Sequence, residues 1–276
     1  MNGKLRVFTA FSGYDSQCLA LERLKKDNPN FDYELVGWSE IDKNAIQAHN
    51  ALFPEYAERN FGDISKIDWE NVPDFDLFTY SSPCQDFSNA GLQKGGEEGS
   101  GTRSSLLWEC RRAIVAKRPK YLLLENVKNL TSKKFMPLFQ KWISELEGYG
   151  YYNNWQVLNS KDYGVPQNRE RVFLVSILSD DTEPNPVYYF PRPFELQSIL
   201  NDVLEEEVED KYFLSDKMVE GFMKHNEIHK QKGTGFIFQP KDRGGIASCI
   251  RANGASCPTD NFVIDGKNNS NRKPIP

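Results

Sequence analysis

Phe75-Asp-Leu-Phe-Thr-Tyr80, continued by Ser81-Ser-Pro-Cys84-Gln85, is an apolar, strand-like run that delivers a cysteine into a glycine-rich stretch reaching Thr102. This places a thiol at the carboxyl end of a buried strand, where open α/β sheets hold their ligands. Working outward, the first 180 residues alternate strand-like and helix-like segments. Leu5–Phe11 reads as a strand and Asp15–Lys26 as a helix with Cys18, Leu19, Leu21 and Leu24 apolar. Tyr33–Trp38 is strand-like again, and a helix follows over Lys43–Leu52. Beyond the glycine-rich loop, Ser104–Ala116 carries Leu106, Leu107, Cys110 and Ile114 at helical spacing. Tyr121–Leu124 is wholly apolar, the pattern of a strand buried on both faces. A helix over Phe135–Glu147 leads to two more strand-like runs, Tyr151–Leu158 and Arg171–Leu178. Such alternation predicts an α/β domain with a doubly wound, mostly parallel sheet.

After Ser179 the character changes. Pro184, Pro186, Pro191 and Pro193 mark a boundary, and the remainder is polar, with helical periodicity over Leu214–Lys224 alone. Two domains follow, residues 1–179 and a smaller, mostly irregular or β module over 180–276.

The chain has 276 residues, 39% hydrophobic and 26% charged, which is the composition of a soluble globular protein. No apolar run approaches the roughly 18 residues of a membrane span. The N-terminus lacks a signal-like stretch, so a cytoplasmic location without a membrane partner is expected. The five cysteines include no Cys-x-x-Cys pair, so neither a disulfide framework nor a metal site is indicated. His49, His225 and His229 lie in helix-like or variable segments and offer no zinc spacing or thiol-protease partner. Net charge is −5, yet Arg103 to Lys120 holds six basic residues against one acid, and Lys211 to Arg251 eight against four. These are either solvated faces or surfaces that bind phosphate.

Several residues stand where chemistry is done. Gly13, in the turn Thr9-Ala-Phe-Ser-Gly-Tyr-Asp-Ser16, lets the backbone approach a nucleotide-like ligand at a helix N-terminus, or simply makes the turn tight. Glu40 ends the second strand-like run, where an acid meets a ribose hydroxyl. Asp63-Ile64 could flank an adenine. Read alone, both acids also serve as helix caps or solvated loop charges. Cys84 is either an inert small hydrophobe or a nucleophile helped by nearby charge, and a loop that can close over a substrate favours the second. Glu125 ends an apolar strand, where partial burial would let it act as an acid or hydrogen-bond donor, with Asn126 holding its orientation. In Gln167-Asn-Arg169-Glu-Arg171, alternation puts both arginines on one side, as an ion-pair network or a functional pair.

Phe11-Ser-Gly13, Glu40, Asp63-Ile64, Pro83-Cys84-Gln85, Glu125-Asn126-Val127 and Gln167-x-Arg169-x-Arg171 occur together, in this order. In these motifs the chain resembles the cytosine-C5 DNA methyltransferase family over about residues 5–178. The resemblance implies a Rossmann-like fold, S-adenosylmethionine as methyl donor and a flipped-out cytosine of double-stranded DNA as acceptor. Transfer RNA, or a non-catalytic binding role, are the alternatives. It also implies a role in a restriction-modification system or a phage. The implied catalytic set is Cys84 as nucleophile towards C6, Glu125 at N3 and the exocyclic amine, Arg171 at O2, and Arg169 beside the thiolate. Phe11, Gly13, Tyr14, Ser16, Glu40, Ile41, Asp63, Ile64, Pro83 and Leu106 match cofactor positions. Closure of the Gln85–Thr102 loop over the flipped base would exclude water.

Two departures from the family pattern stand out. The turn normally reads Gly-x-Gly-Gly, whereas here it is Gly13-Tyr-Asp15-Ser16, which puts a charge near the methionine carboxylate. Ile246–Gly254 and Asn261–Gly266 look like the close of a target-recognition region, with Arg272–Pro276 opening a further block. Either a separately encoded C-terminal piece is therefore expected as a partner, or the chain is a fragment with little activity.

Overall fold

The computed structural model describes residues 3–83, 96–233, 237–250, 261–265 and 270–272. Cys84, Gln85 and the loop to residue 95 lie outside the described residues, as do parts of both C-terminal segments, 251–260, 266–269 and 273–276. In chain order the elements are β1 (Leu5–Ala10), α1 (Ser16–Asp27), β2 (Tyr33–Ser39), α2 (Lys43–Leu52), β3 (Leu77–Tyr80), α3 (Cys110–Lys117) and β4 (Tyr121–Val127). Then come α4 (Met136–Gly148), β5 (Tyr151–Asn159), β6 (Gln167–Asn168), β7 (Glu170–Leu178), α5 (Asp216–Lys232), β8 (Ala247–Ser248), β9 (Val263–Asp265) and β10 (Ser270–Arg272).

Successive side chains of β1 serve different cores, as a period of two requires. Val7 joins Cys18, Leu21, Tyr33, Leu35, Trp38 and Phe53, whereas Phe8 and Ala10 join Phe78, Tyr80, Leu122, Leu124 and Trp142. A strand that is apolar on both sides stays in the middle of a sheet covered by helices. The sheet order is β2-β1-β3-β4-β7-β5, with β2, β1, β3 and β4 mutually parallel and β7 antiparallel to β4. The sheet is therefore doubly wound and mostly parallel, as the alternation predicts. Fully burying one such apolar side chain contributes about 1.5–3 kcal/mol, so the aromatic-rich core dominates stability.

At Val7/Phe8 the β1–β2 register skips one residue, setting Gly37 opposite Phe8. A Cβ at Gly37 would come within 2.7 Å of the Phe8 and Phe61 rings, so only glycine fits there.

Two segments differ from the sequence pattern. The helix expected over Ser104–Ala116 is a 3-10 helix from Arg103 to Glu109 and α-helical only from Cys110. Its serines bind backbone carbonyls instead of extending the helix: Ser104 Oγ donates to Pro83 O and Ser105 Oγ to Thr102 O. β4 alternates in burial: Leu122, Leu124 and Asn126 are buried while Tyr121, Leu123, Glu125 and Val127 are half-buried. One face packs under the helices and the other is only partly covered.

The chain divides into two compact units. The first is Met1–Val157 with Arg171–Phe190, and the second is Leu158–Glu170 with Pro191–Pro276. The division is thus not a single cut after Ser179, because the excursion between β5 and β7 packs with the C-terminal part. Within the second unit, β6 pairs in parallel with β8 and β9 pairs antiparallel with β10. Its helix α5 runs on to Lys232, past the Lys224 expected from the sequence, and is closed by Gly233 at φ 62°. Leu214, Phe238 and Phe262 form its small core, with Phe222 against both phenylalanines.

Candidate active site

The turn after β1 carries three left-handed residues, Phe11 (φ 54°), Gly13 (φ 59°) and Asp15 (φ 66°). Two of these are not glycine, and such backbone strain persists only where side-chain bonds over-determine it. Here Asp15 caps α1: Oδ1 accepts from Cys18 N and Oδ2 from Thr9 Oγ1 at 2.7 Å. The Asp15 side chain is fully buried and lies 3.6 Å from His49 Nε2, itself fully buried. The charge expected to face a ligand at this turn is therefore directed inward instead. Ser16 is exposed and its hydroxyl donates to Gln17 Oε1.

Glu40 joins the turn to the end of β2. Its Oε2 accepts from Gly13 N at 2.9 Å, and its Oε1 accepts from the Ile41 and Asp42 backbone amides. Asn60 brackets the Glu40 backbone, donating to its carbonyl and accepting from its amide. Asp63 caps the short 3-10 turn Ile64–Lys66 through Ser65, whose hydroxyl holds the carboxyl below its ordinary value. Ile64 is buried and Phe11 and Leu106 are half-buried, while Tyr14 and Ile41 are 53% and 68% exposed. Among the described residues, nothing fills the space where a Cβ of Gly13 would stand, and the buried Ser12 Oγ has no hydrogen-bond partner.

The three residues that precede Cys84 are tethered from three elements. Gln17 Nε2 of α1 donates to Ser81 Oγ, Asn126 Nδ2 of β4 to Ser82 O, and Ser104 Oγ to Pro83 O. Asn126 thus points to the Ser82 side of β4 instead of orienting Glu125, because neighbours on a strand face opposite ways. Glu125 is oriented by Arg171, whose Nε lies 3.0 Å from Glu125 Oε1. β4 and β7 are antiparallel with Val127 opposite Arg171, so the pair is a diagonal cross-strand contact.

Arg169 does not share that arrangement. It lies in the second unit, where its amide donates to Asn159 Oδ1 and its Nη1 stands 3.3 Å from Cys249 Sγ. Alternation fails because the extended chain is broken between β6 and β7 at this residue. The sequence reasoning did not find His49, Thr9, Gln17 or Ser104, all of which depend on partners distant in the chain.

Comparison with known proteins supports one family. A family model described as C-5 cytosine-specific DNA methylase matches residues 5–274, beyond the 178 at which the motifs end. The type II methyltransferase M2.ScrFI of Lactococcus lactis subsp. cremoris is 40% identical over 266 residues, covering 78% of this chain and 71% of that one. The type II methyltransferase M.NlaX of Neisseria lactamica is 37% identical, covering 74% of this chain and 63% of its own length. The chain thus spans between three fifths and three quarters of these relatives. The crystal structure of S. pombe Dnmt2 has the same fold, with a TM-score of 0.70 at 18% identity, covering 96% of this chain and 78% of that one. A separate C-terminal piece finds no support in these matches. Among the described residues no helix is long and apolar enough to cross a membrane.

Proposed function

The chain belongs to the C-5 cytosine-specific DNA methylase family, and we propose that it methylates C5 of a flipped-out cytosine in a specific duplex DNA sequence through a Cys84–C6 adduct. The observation that carries this reading is the Glu125–Arg171 pair. It stands at the end of β4, the strand whose Asn126 holds the segment leading into Cys84.

The geometry suits the S-adenosylmethionine of such an enzyme. Gly13 leaves room in a left-handed turn, Ser12 has a spare hydroxyl, and Tyr14 and Ile41 present uncovered apolar surface. Glu40 and Asp63 would hold hydroxyl and amino groups, Phe11, Ile64 and Leu106 the base, and the backbone at Gly13, Ser16 and Pro83 the remainder. When bound, the cofactor supplies an electrophilic methyl group.

The protein's own residues do the rest. Taking the cytosine out of the stack costs a few kcal/mol. The Cys84 thiolate adds to C6, and the electrons of the C5=C6 bond become available at C5. Glu125 binds N3 and the exocyclic amine and stabilises the ring as it becomes electron-rich, while Arg171 fixes Glu125 and reaches O2. After methylation the C5 proton leaves to a base, the C6–S bond breaks, and the thiolate and double bond are restored. Arg169 lies in the second unit, where its Nη1 meets Cys249 Sγ.

The test is trapping on duplex DNA containing 5-fluorocytosine, which has no C5 proton to lose. With the cofactor added, the chain should form a denaturant-stable complex. Cys84→Ser should abolish the complex, and Glu125→Gln should slow its formation by about 10²–10³-fold. Trapping undiminished in Cys84→Ser, or trapping on transfer RNA in place of duplex DNA, would overturn the reading.

A further inference from the structure

Asp15 and His49 form a fully buried pair that the catalytic chemistry does not use. Asp15 sits at the N-terminus of α1 and His49 in the last turn of α2. The N-terminus of α1 and the C-terminal turn of α2 thus meet at this pair. The imidazole also stacks on Trp38 at 3.7 Å between ring centroids and 16° between planes. Neither ring nitrogen has a hydrogen-bond partner, so Asp15 is what compensates the ring within the described residues. The nearby Cys18 thiol cannot share this role, since burial and the Asp15 charge push it well up and keep it protonated.

A buried carboxylate is tolerated only when paired. Asp15 also occupies the left-handed conformation that glycine adopts without strain. We propose that His49 is a positioning residue for the cofactor turn. Paired with Asp15, it holds Phe11, Gly13 and Asp15 in their left-handed form and keeps the Asp15 charge away from the carboxylate of the bound amino-acid moiety. This rests on the reading of the turn as the S-adenosylmethionine site. Without His49 the carboxylate would turn outward for solvent, towards the ligand's own negative charge.

Calorimetry with two ligands tests this: S-adenosylhomocysteine, which carries the amino-acid carboxylate, and 5′-methylthioadenosine, which lacks it. His49→Phe should weaken S-adenosylhomocysteine by tenfold or more, an approximate lower bound for a broken buried pair, and leave methylthioadenosine nearly unchanged. The double variant Asp15→Gly with His49→Phe should recover the affinity. If His49→Phe does not fold, the double variant must fold and bind; failure of both overturns the proposal. Equal loss for both ligands, or no recovery in the folded double variant, also overturns it and makes His49 a packing residue. Wild-type protein that binds neither ligand overturns the cofactor reading itself, and this proposal with it.

Discussion

The two units are held together by different physics. The first has two apolar clusters, and in the larger of them Phe8, Phe78, Tyr80, Phe139 and Trp142 are almost wholly removed from water. Among the described residues of the second, the core gathers around Leu214, Phe238 and Phe262, and asparagine side chains bracket its backbone. Asn226 both donates to and accepts from Phe238, Asn261 does the same for Ser248, and Asn159 accepts from the Arg169 and Lys161 amides. A core built by area tolerates few losses and places atoms closely. A unit built from brackets places little energy in any one contact, so its loops can change with less effect on the rest.

The strongest test of that contrast is Trp142→Ala. It removes a fully buried indole whose Nε1 donates to Tyr80 Oη. A loss of about 3–5 kcal/mol is expected in urea unfolding, confined to the transition of the first unit. Phe262→Ala should cost about 3 kcal/mol, but in the other transition, with S-adenosylhomocysteine affinity unchanged in calorimetry. Loss of cofactor binding in that variant would break the comparison. Asn261→Ala removes one bracket and should cost about 1–2 kcal/mol, read from the same transition. The smallest effect concerns pH. Lys25, and then Lys4, hold the Asp32 carboxyl at about 2, below its ordinary 3.8. The folded value is depressed, so this stability is present above the ordinary range and is lost as pH falls towards about 2. Both lysines are exposed, so Asp32→Asn should shift the melting temperature only slightly at pH 6 and by less still at pH 2.

Most of the first unit was legible because its strands and helices are patterned locally. α2 begins and ends where its periodicity does, and β1, α1 and β2 agree to within a residue. Glu125 and Arg171 were legible as candidates, since a charge at the end of an apolar strand stands out. Their pairing depends on β7 running antiparallel beside β4, which local pattern does not contain. Arg169 was grouped with Arg171 because alternation assumes an unbroken strand, and the strand is broken at Arg169 itself. Asp15 and His49 lie 34 positions apart, and the histidine reads as an ordinary helix residue until β2 and Trp38 bring it beneath the turn. The side chains that tether Ser81, Ser82 and Pro83 were illegible for the same reason.

The second unit is discontinuous in the chain, and this has a consequence for recombination. Residues 158–170 join residues beyond 190 through the β6–β8 ladder, the bond from Ala247 N to Pro166 O, and the bond from Phe194 N to Asp162 O. A chimera that exchanged only the segment after Phe190 would leave a short native excursion facing a foreign partner. A chimera between relatives should therefore fold when both segments travel together, and inheritance should show the two as one unit.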